Sequence, residues 1–304
     1  MKKNLFYFLA IALSIVFASC DQPNGPEGNG GNGGNGGGST SNNGVLNGEF
    51  SVSPTKKVRF SQGNLQYQAT TKTWRFAENQ YDYIGNYNVK IAETYDGWID
   101  MFGWATSGYN DKMPTLNDRY DFEYVDELAN IAGTNSDWGV YNAISNGGNK
   151  AGLWRTLTIE EWQYILEQRP DAESKKAVAS INGNNGVIIL PDNWQQPEGT
   201  TFKAGYAELE GKSQYKTVND LTLEQWKLFE EAGAVFLPAA GYRWCPNDIM
   251  YVNQYGSYWS SSYANYDEKW EDYINAWYVY FHSKEINCHN YRNIANGYSV
   301  RLVQ

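Results

Sequence analysis

The chain has 304 residues, with 24 basic against 34 acidic side chains, 48 aromatics and 3 cysteines. A net charge of −10 argues against nucleic acid as a partner, since that affinity rests on Lys and Arg neutralising phosphates, and against anionic membrane surfaces for the same reason. At 19 % charged and 16 % aromatic, the chain has the composition of a folded protein outside one short tract, and its 24 tyrosines and 12 tryptophans suit a core or a recognition surface.

In chain order, residues 1–20 come first and have the pattern of a bacterial export signal. Lys2 and Lys3 precede an apolar run over 5–17, and the small residues Ala18 and Ser19 precede Cys20. That run is too short to span a bilayer as an ordinary transmembrane helix. Phe17-Ala18-Ser19-Cys20 resembles a lipobox, which implies a signal peptide over 1–19 and a lipidated Cys20 as the first mature residue. Plain secretion with an incidental Cys20 stays open. Loss of Lys2 and Lys3 would leave 22 basic groups against 34 acidic ones, a net charge of −12. Residues 20–44 are expected to form a tether, because 24–44 hold 10 Gly and 6 Asn and no bulky apolar side chain. Its end-to-end distance should be roughly 25 Å. Lipid, tether and domain together predict a protein displayed from the cell envelope, outward from the outer membrane, attached by its lipid alone.

Residues 45–304 are expected to form one domain. A helix is predicted from Thr158 to about Gln168, where Thr158 and Glu161 form a capping box, Ile159, Trp162, Ile165 and Leu166 share a face, and Pro170 follows. A second starts at Thr222 with Gln225 in the matching place, has Leu223, Trp226 and Phe229 at helical spacing, and stops at Gly233. Short β-branched or aromatic runs bounded by turn residues predict strands at 57–60, 64–67, 74–76, 187–190, 234–237, 257–260, 276–281 and 299–303. Two main helices among short, irregular strands point to an α+β fold with long loops.

The string Leu153-Trp154-Arg155-Thr156-Leu157-Thr158-Ile159-Glu160-Glu161-Trp162 is similar to the R-L-P-T-x-x-E-W block of C-type-lectin-like domains, shared with sulfatase-modifying enzymes. Phe236-Leu237-Pro238-Ala239-Ala240-Gly241-Tyr242-Arg243, Tyr258-Trp259-Ser260-Ser261-Ser262, the 276–281 run and Gly297-Tyr298-Ser299-Val300-Arg301-Leu302-Val303 follow in order. That series resembles the Fibrobacter succinogenes major paralogous domain of Bacteroidales lipoproteins, over roughly 56–304. Its last blocks are also similar to variable proteins of diversity-generating retroelements. The resemblance implies a C-type-lectin-like fold with mostly antiparallel strands, used as a ligand-binding scaffold.

Residues that could carry chemistry are sparse. His282 and His289 lie in one polar stretch without a glycine-flanked nucleophile elbow. His289 follows Cys288, but neighbours on a regular strand point to opposite faces and zinc takes about four ligands, so no metal site is expected. Cys245 and Cys288 could close a disulfide in an exported chain. Neither stands in text matching the paired-cysteine site of sulfatase-modifying enzymes. Asp118, Asp121, Glu123, Asp126 and Glu127, and then Asp267, Glu268, Glu271 and Asp272, form acidic clusters that read as solvated faces. No cofactor is expected, with Ca²⁺ open as the ion such clusters could hold. Neither Cys245-Pro246-Asn247-Asp248 nor Leu190-Pro191-Asp192-Asn193-Trp194 reproduces calcium-lectin text.

The end of the chain is where a partner would be held. Residues 251–298 contain 10 Tyr, 3 Trp, 7 Asn and 5 Ser, a mixture that gives rigid aromatic area and adaptable hydrogen bonds. Alternation over 276–282 assigns Trp277, Val279 and Phe281 to the core and Tyr278, Tyr280 and His282 to a more exposed face. Flanking loops at 263–273 and 283–296 add Tyr263, Asn265, Tyr266, Trp270, Tyr273, His289, Asn290, Tyr291, Arg292 and Asn293. The expected function is non-enzymatic recognition of an extracellular protein or glycan. An enzyme of sulfatase-modifying or glycan-hydrolysing type, and a structural subunit of a surface assembly, stay open.

Overall fold

Gly44 and Val45 bring the chain into packed structure: the Gly44 carbonyl accepts the Gln62 N–H at 2.8 Å, and Val45 bridges to Ser61. The computed structural model describes residues 43–115, 129–207, 215–244, 248–264 and 274–304. The export segment, Cys20, the tether through Asn42, both acidic clusters and Cys245 lie outside these residues, as do Asn265, Tyr266, Trp270 and Tyr273. All described residues belong to the unit Gly37–Gln304. No helix among them is long and apolar enough to cross a membrane.

The hairpin β1 (Phe50–Ser51) and β2 (Lys57–Val58) is followed by a small sheet of β3 (Leu65–Gln68), β4 (Thr73–Phe76) and β5 (Trp98–Ile99), with β3 central. A single turn, α1 (Trp138–Tyr141), leads to β6 (Arg155–Thr156) and α2 (Ile159–Gln163), which continues as a π-helical turn, Tyr164–Gln168. Next come β7 (Lys176–Ile181), β8 (Asn184–Ile189), β9 (Asn219–Leu221), α3 (Leu223–Glu231) and β10 (Val235–Pro238), the strands ordered β10-β8-β7-β9. A ribbon of β11 (Tyr242–Trp244) and β12 (Asp248–Met250) precedes a three-stranded sheet, β13 (Gly256–Ala264), β14 (Asn275–His282) and β15 (Glu285–Asn293). The last strand, β16 (Leu302–Val303), returns to β6. The fold is α+β, mostly strand with few helices, and β7–β9 is the one parallel pair among these strands.

Both helix starts form as their spacing predicts. Glu161 N–H donates to Thr158 Oγ1 at 3.2 Å, and Thr158 N–H to Glu161 Oε2 at 3.0 Å. Thr222 and Gln225 repeat the exchange at 3.3 and 3.0 Å. Arg155 grips the same Glu161 with both Nη atoms, at 2.6 and 2.8 Å, tying β6 to the start of α2. Thr158→Ala is therefore expected to destabilise the protein by about 1 kcal/mol in urea unfolding. The stop after α3 needs Gly233: its φ is +95°, and a Cβ there would lie 2.8 Å from Gly48 Cα.

Three core clusters are separated by sheets. One face of β7, β8 and β10 sends Val178, Val187, Ile189, Val235 and Leu237 towards α2, and the other packs Ala179, Ile181, Ile188 and Phe236 against Trp226 and Phe229 of α3. Burial on both faces makes the run at 187–190 continuously apolar. Each predicted strand segment contains strand residues, but β1, β5, β6, β7, β9, β11, β12 and β15 lie outside the predicted runs. β7 is built partly from small Ala and Ser residues. β15 occupies most of the stretch expected as the loop 283–296, because an edge strand paired on one side tolerates polar text.

Candidate functional site

The sheet β13-β14-β15 is covered on both faces. Towards α2, Tyr258, Val279, Phe281 and Cys288 enter one core cluster. On the opposite face Trp259 and Tyr278 are cross-strand partners and pack with Tyr298 in another, with ring centroids 4.3 Å apart for Trp259–Tyr298 and 4.8 Å for Tyr278–Tyr298.

Above this aromatic floor opens a cavity of about 670 Å³, within the range typical of small-molecule sites. Tyr242 and Trp244 of β11 form one wall; Asn290, Arg292 and Asn293 of β15 form another. Tyr255, Ser257 and Tyr280 close one end, where the Tyr255 and Tyr280 rings stack at 6.1 Å and 13°. Asn275 and Asn296 complete the lining. Depth separates the roles: Tyr278 and Tyr298 are 6 % and 3 % exposed, whereas Trp244 is 45 % exposed at the mouth.

Burial pushes the Tyr242, Tyr278, Tyr280 and Tyr298 hydroxyls above the ordinary phenol value, and the Glu285 carboxylate beside Tyr280 pushes that one further. They are neutral donors and acceptors at pH 7. Arg292 works in the other direction on Tyr242, Tyr278 and Tyr298. Among the described lining residues Arg292 is the one formal charge, and none carries a carboxylate. The cavity thus offers ring faces, amides, hydroxyls and a guanidinium from its described lining residues.

Of the residues expected from sequence, Tyr278, Tyr280, Asn290, Arg292 and Asn293 converge here. Tyr278 is not on an exposed face, because that side of β14 is covered too; alternation sorts faces but not what covers them. His282 lies behind the cavity end, edge-on to Tyr255 at 5.1 Å, and burial lowers its basicity. Tyr263 packs against Trp104 at 6.4 Å. Tyr291 and His289 belong to the opposite face, Tyr291 edge-on to Trp277 at 5.4 Å and His289 beside Glu167. Tyr242, Trp244, Tyr255, Ser257, Asn275, Asn296 and Tyr298 were missed. Tyr242 and Tyr298 stand inside the family-like blocks, which imply a fold and not a ligand, while the approach of β11 to the sheet is a long-range fact with no local signal.

Cys245, the other half of the possible disulfide, lies outside the described residues. Cys288 is a free, buried thiol turned towards α2, its Sγ 3.1 Å from Glu167 Oε1. Burial and that carboxylate both push the thiol up, so it is protonated at neutral pH. Asp192 does not act as a calcium-lectin ligand either: Ser51 and Arg169 take its oxygens, at 2.6 and 3.1 Å. Comparison with family models, with curated proteins and with solved structures gives no match.

Proposed function

We propose that the chain is a non-enzymatic recognition module of C-type-lectin-like fold, displayed from the outer membrane on a lipidated tether, and that its cavity takes a saccharide of an extracellular glycan. The lining carries this reading. Pyranose rings present apolar C–H faces and a rim of hydroxyls, and the cavity pairs six aromatic rings with four asparagines, Ser257 and Arg292. Aromatic residues with a polar handle match that amphipathic chemistry. Support for the fold comes from what the blocks do physically: Arg155, Thr158 and Glu161 lock β6 to α2, and Arg301 is buried with Nη2 2.8 Å from Gln80 Oε1.

A glycan array probed with the purified protein tests the reading. Retention of a restricted set sharing one terminal unit is expected; silence across the array, with folded protein, contradicts it.

A further inference from the structure

Three metal-ligating side chains converge away from the cavity, on the α2 side of β15. A regular strand would send Cys288 and His289 to opposite faces. The register prevents this: Tyr278 pairs with Asn290 and Tyr280 with Asn287, so Cys288 and His289 together oppose Val279. This bulge, of a kind that re-aims side chains, lets both residues reach Glu167 on the π-helical turn. His289 Nε2 lies 2.9 Å from Glu167 Oε2, Cys288 Sγ lies 3.1 Å from Oε1, and the three ligating atoms are all within 4.8 Å of one another.

We propose that Glu167, Cys288 and His289 form a zinc site with a further coordination position open to solvent. The donor set, one sulfur, one imidazole nitrogen and one carboxylate oxygen, suits zinc and is wrong for calcium or magnesium, which take oxygens. Three protein ligands are the number found in open zinc sites, whereas closed structural sites use four. The surroundings hold the ligands while leaving access. Cys288 is fixed in the core, while the Glu167 and His289 side chains are 33 % and 57 % exposed. Gln163 Nε2 lies 3.3 Å from His289 Nδ1, the ring nitrogen that faces away from Glu167, and the Asn287 side chain accepts the His289 N–H at 2.8 Å. Gln163 Nε2 also donates to the Cys288 carbonyl at 3.3 Å, which holds the amide beside both ligands. Coordination by Cys288 forms a Zn–S bond and releases the thiol proton to solvent.

The test is zinc competition against a chromophoric chelator, using full-length protein freed of metal, with Co²⁺ as a spectroscopic replacement. One zinc per chain is expected, and the cobalt protein should show a thiolate charge-transfer band that Cys288→Ser removes. Gln163→Ala should weaken binding by about tenfold, and His289→Ala and Glu167→Gln by about 100-fold or more. His282→Ala should change nothing. Unchanged zinc affinity in both His289→Ala and Glu167→Gln overturns the site, as does a cobalt spectrum that does not depend on Cys288. If Cys288→Ser does not fold, the two surface variants decide the question.

Discussion

Tyr278→Ala is expected to destabilise the protein by about 3–5 kcal/mol, the cost of emptying a large aromatic site in a core. The ring is 6 % exposed and packs on Trp259 and Tyr298, with centroids 6.1 and 4.8 Å away. Trp244→Ala and Arg292→Ala at the mouth should each stay within about 0.5 kcal/mol of the parent, as surface substitutions do. Urea unfolding of the three variants measures the contrast. Equal losses would mean that the cavity has no rigid floor distinct from its rim.

Asp192→Ala is expected to cost about 3 kcal/mol, because it strips a charge partner from a buried guanidinium. Arg169 is buried; its Nε and Nη2 bond the Ile165 and Leu190 carbonyls at 2.7 and 2.8 Å, and its Nη1 meets Asp192 at 3.1 Å. The carbonyls supply hydrogen bonds but not a counter-charge. Burial works to raise the Asp192 carboxyl, and the bonds from Ser51 and Arg169 outweigh it, so its folded value lies below the ordinary 3.8. A folded pKa below the unfolded one means that this stabilisation is complete above about pH 4 and fades as pH falls through the folded value. The stability gap between parent and Asp192→Ala should therefore be full at pH 7 and shrink in strong acid. A gap that widened in acid would contradict the assignment.

Local signals carried the two capped helices and eight of the sixteen strands. Thr158 with Glu161, and Thr222 with Gln225, mark chain positions where few alternatives satisfy the first N–H groups, and both caps form as spaced. Strand β15 was less legible, since Asn, His and Arg at a sheet edge look like loop text. The candidate site was legible in composition and only half legible in residues. The Tyr and Asn enrichment after 251 located the right sheet, yet Tyr242 and Trp244 reach the cavity from β11, and Tyr291 and His289 turn away from it. The bulge opposite Val279 defeats the two-residue period at the point where Cys288 and His289 need it broken. Register depends on partners distant in sequence, so spacing alone does not contain it.

The cavity beneath Trp244 and Arg292 is where ligand is proposed to be held. Calorimetric titration of a glycan retained on the array, into parent, Trp244→Ala, Arg292→Ala and His289→Ala, reads this directly. Removing an aromatic or arginine anchor that holds a ligand costs about 2 kcal/mol, close to thirtyfold in Kd. Trp244→Ala and Arg292→Ala should each show a loss of that size with unchanged unfolding curves, while His289→Ala, on the far face of the sheet, keeps parental affinity. Parental affinity in both mouth variants would place recognition elsewhere on the molecule and contradict the account.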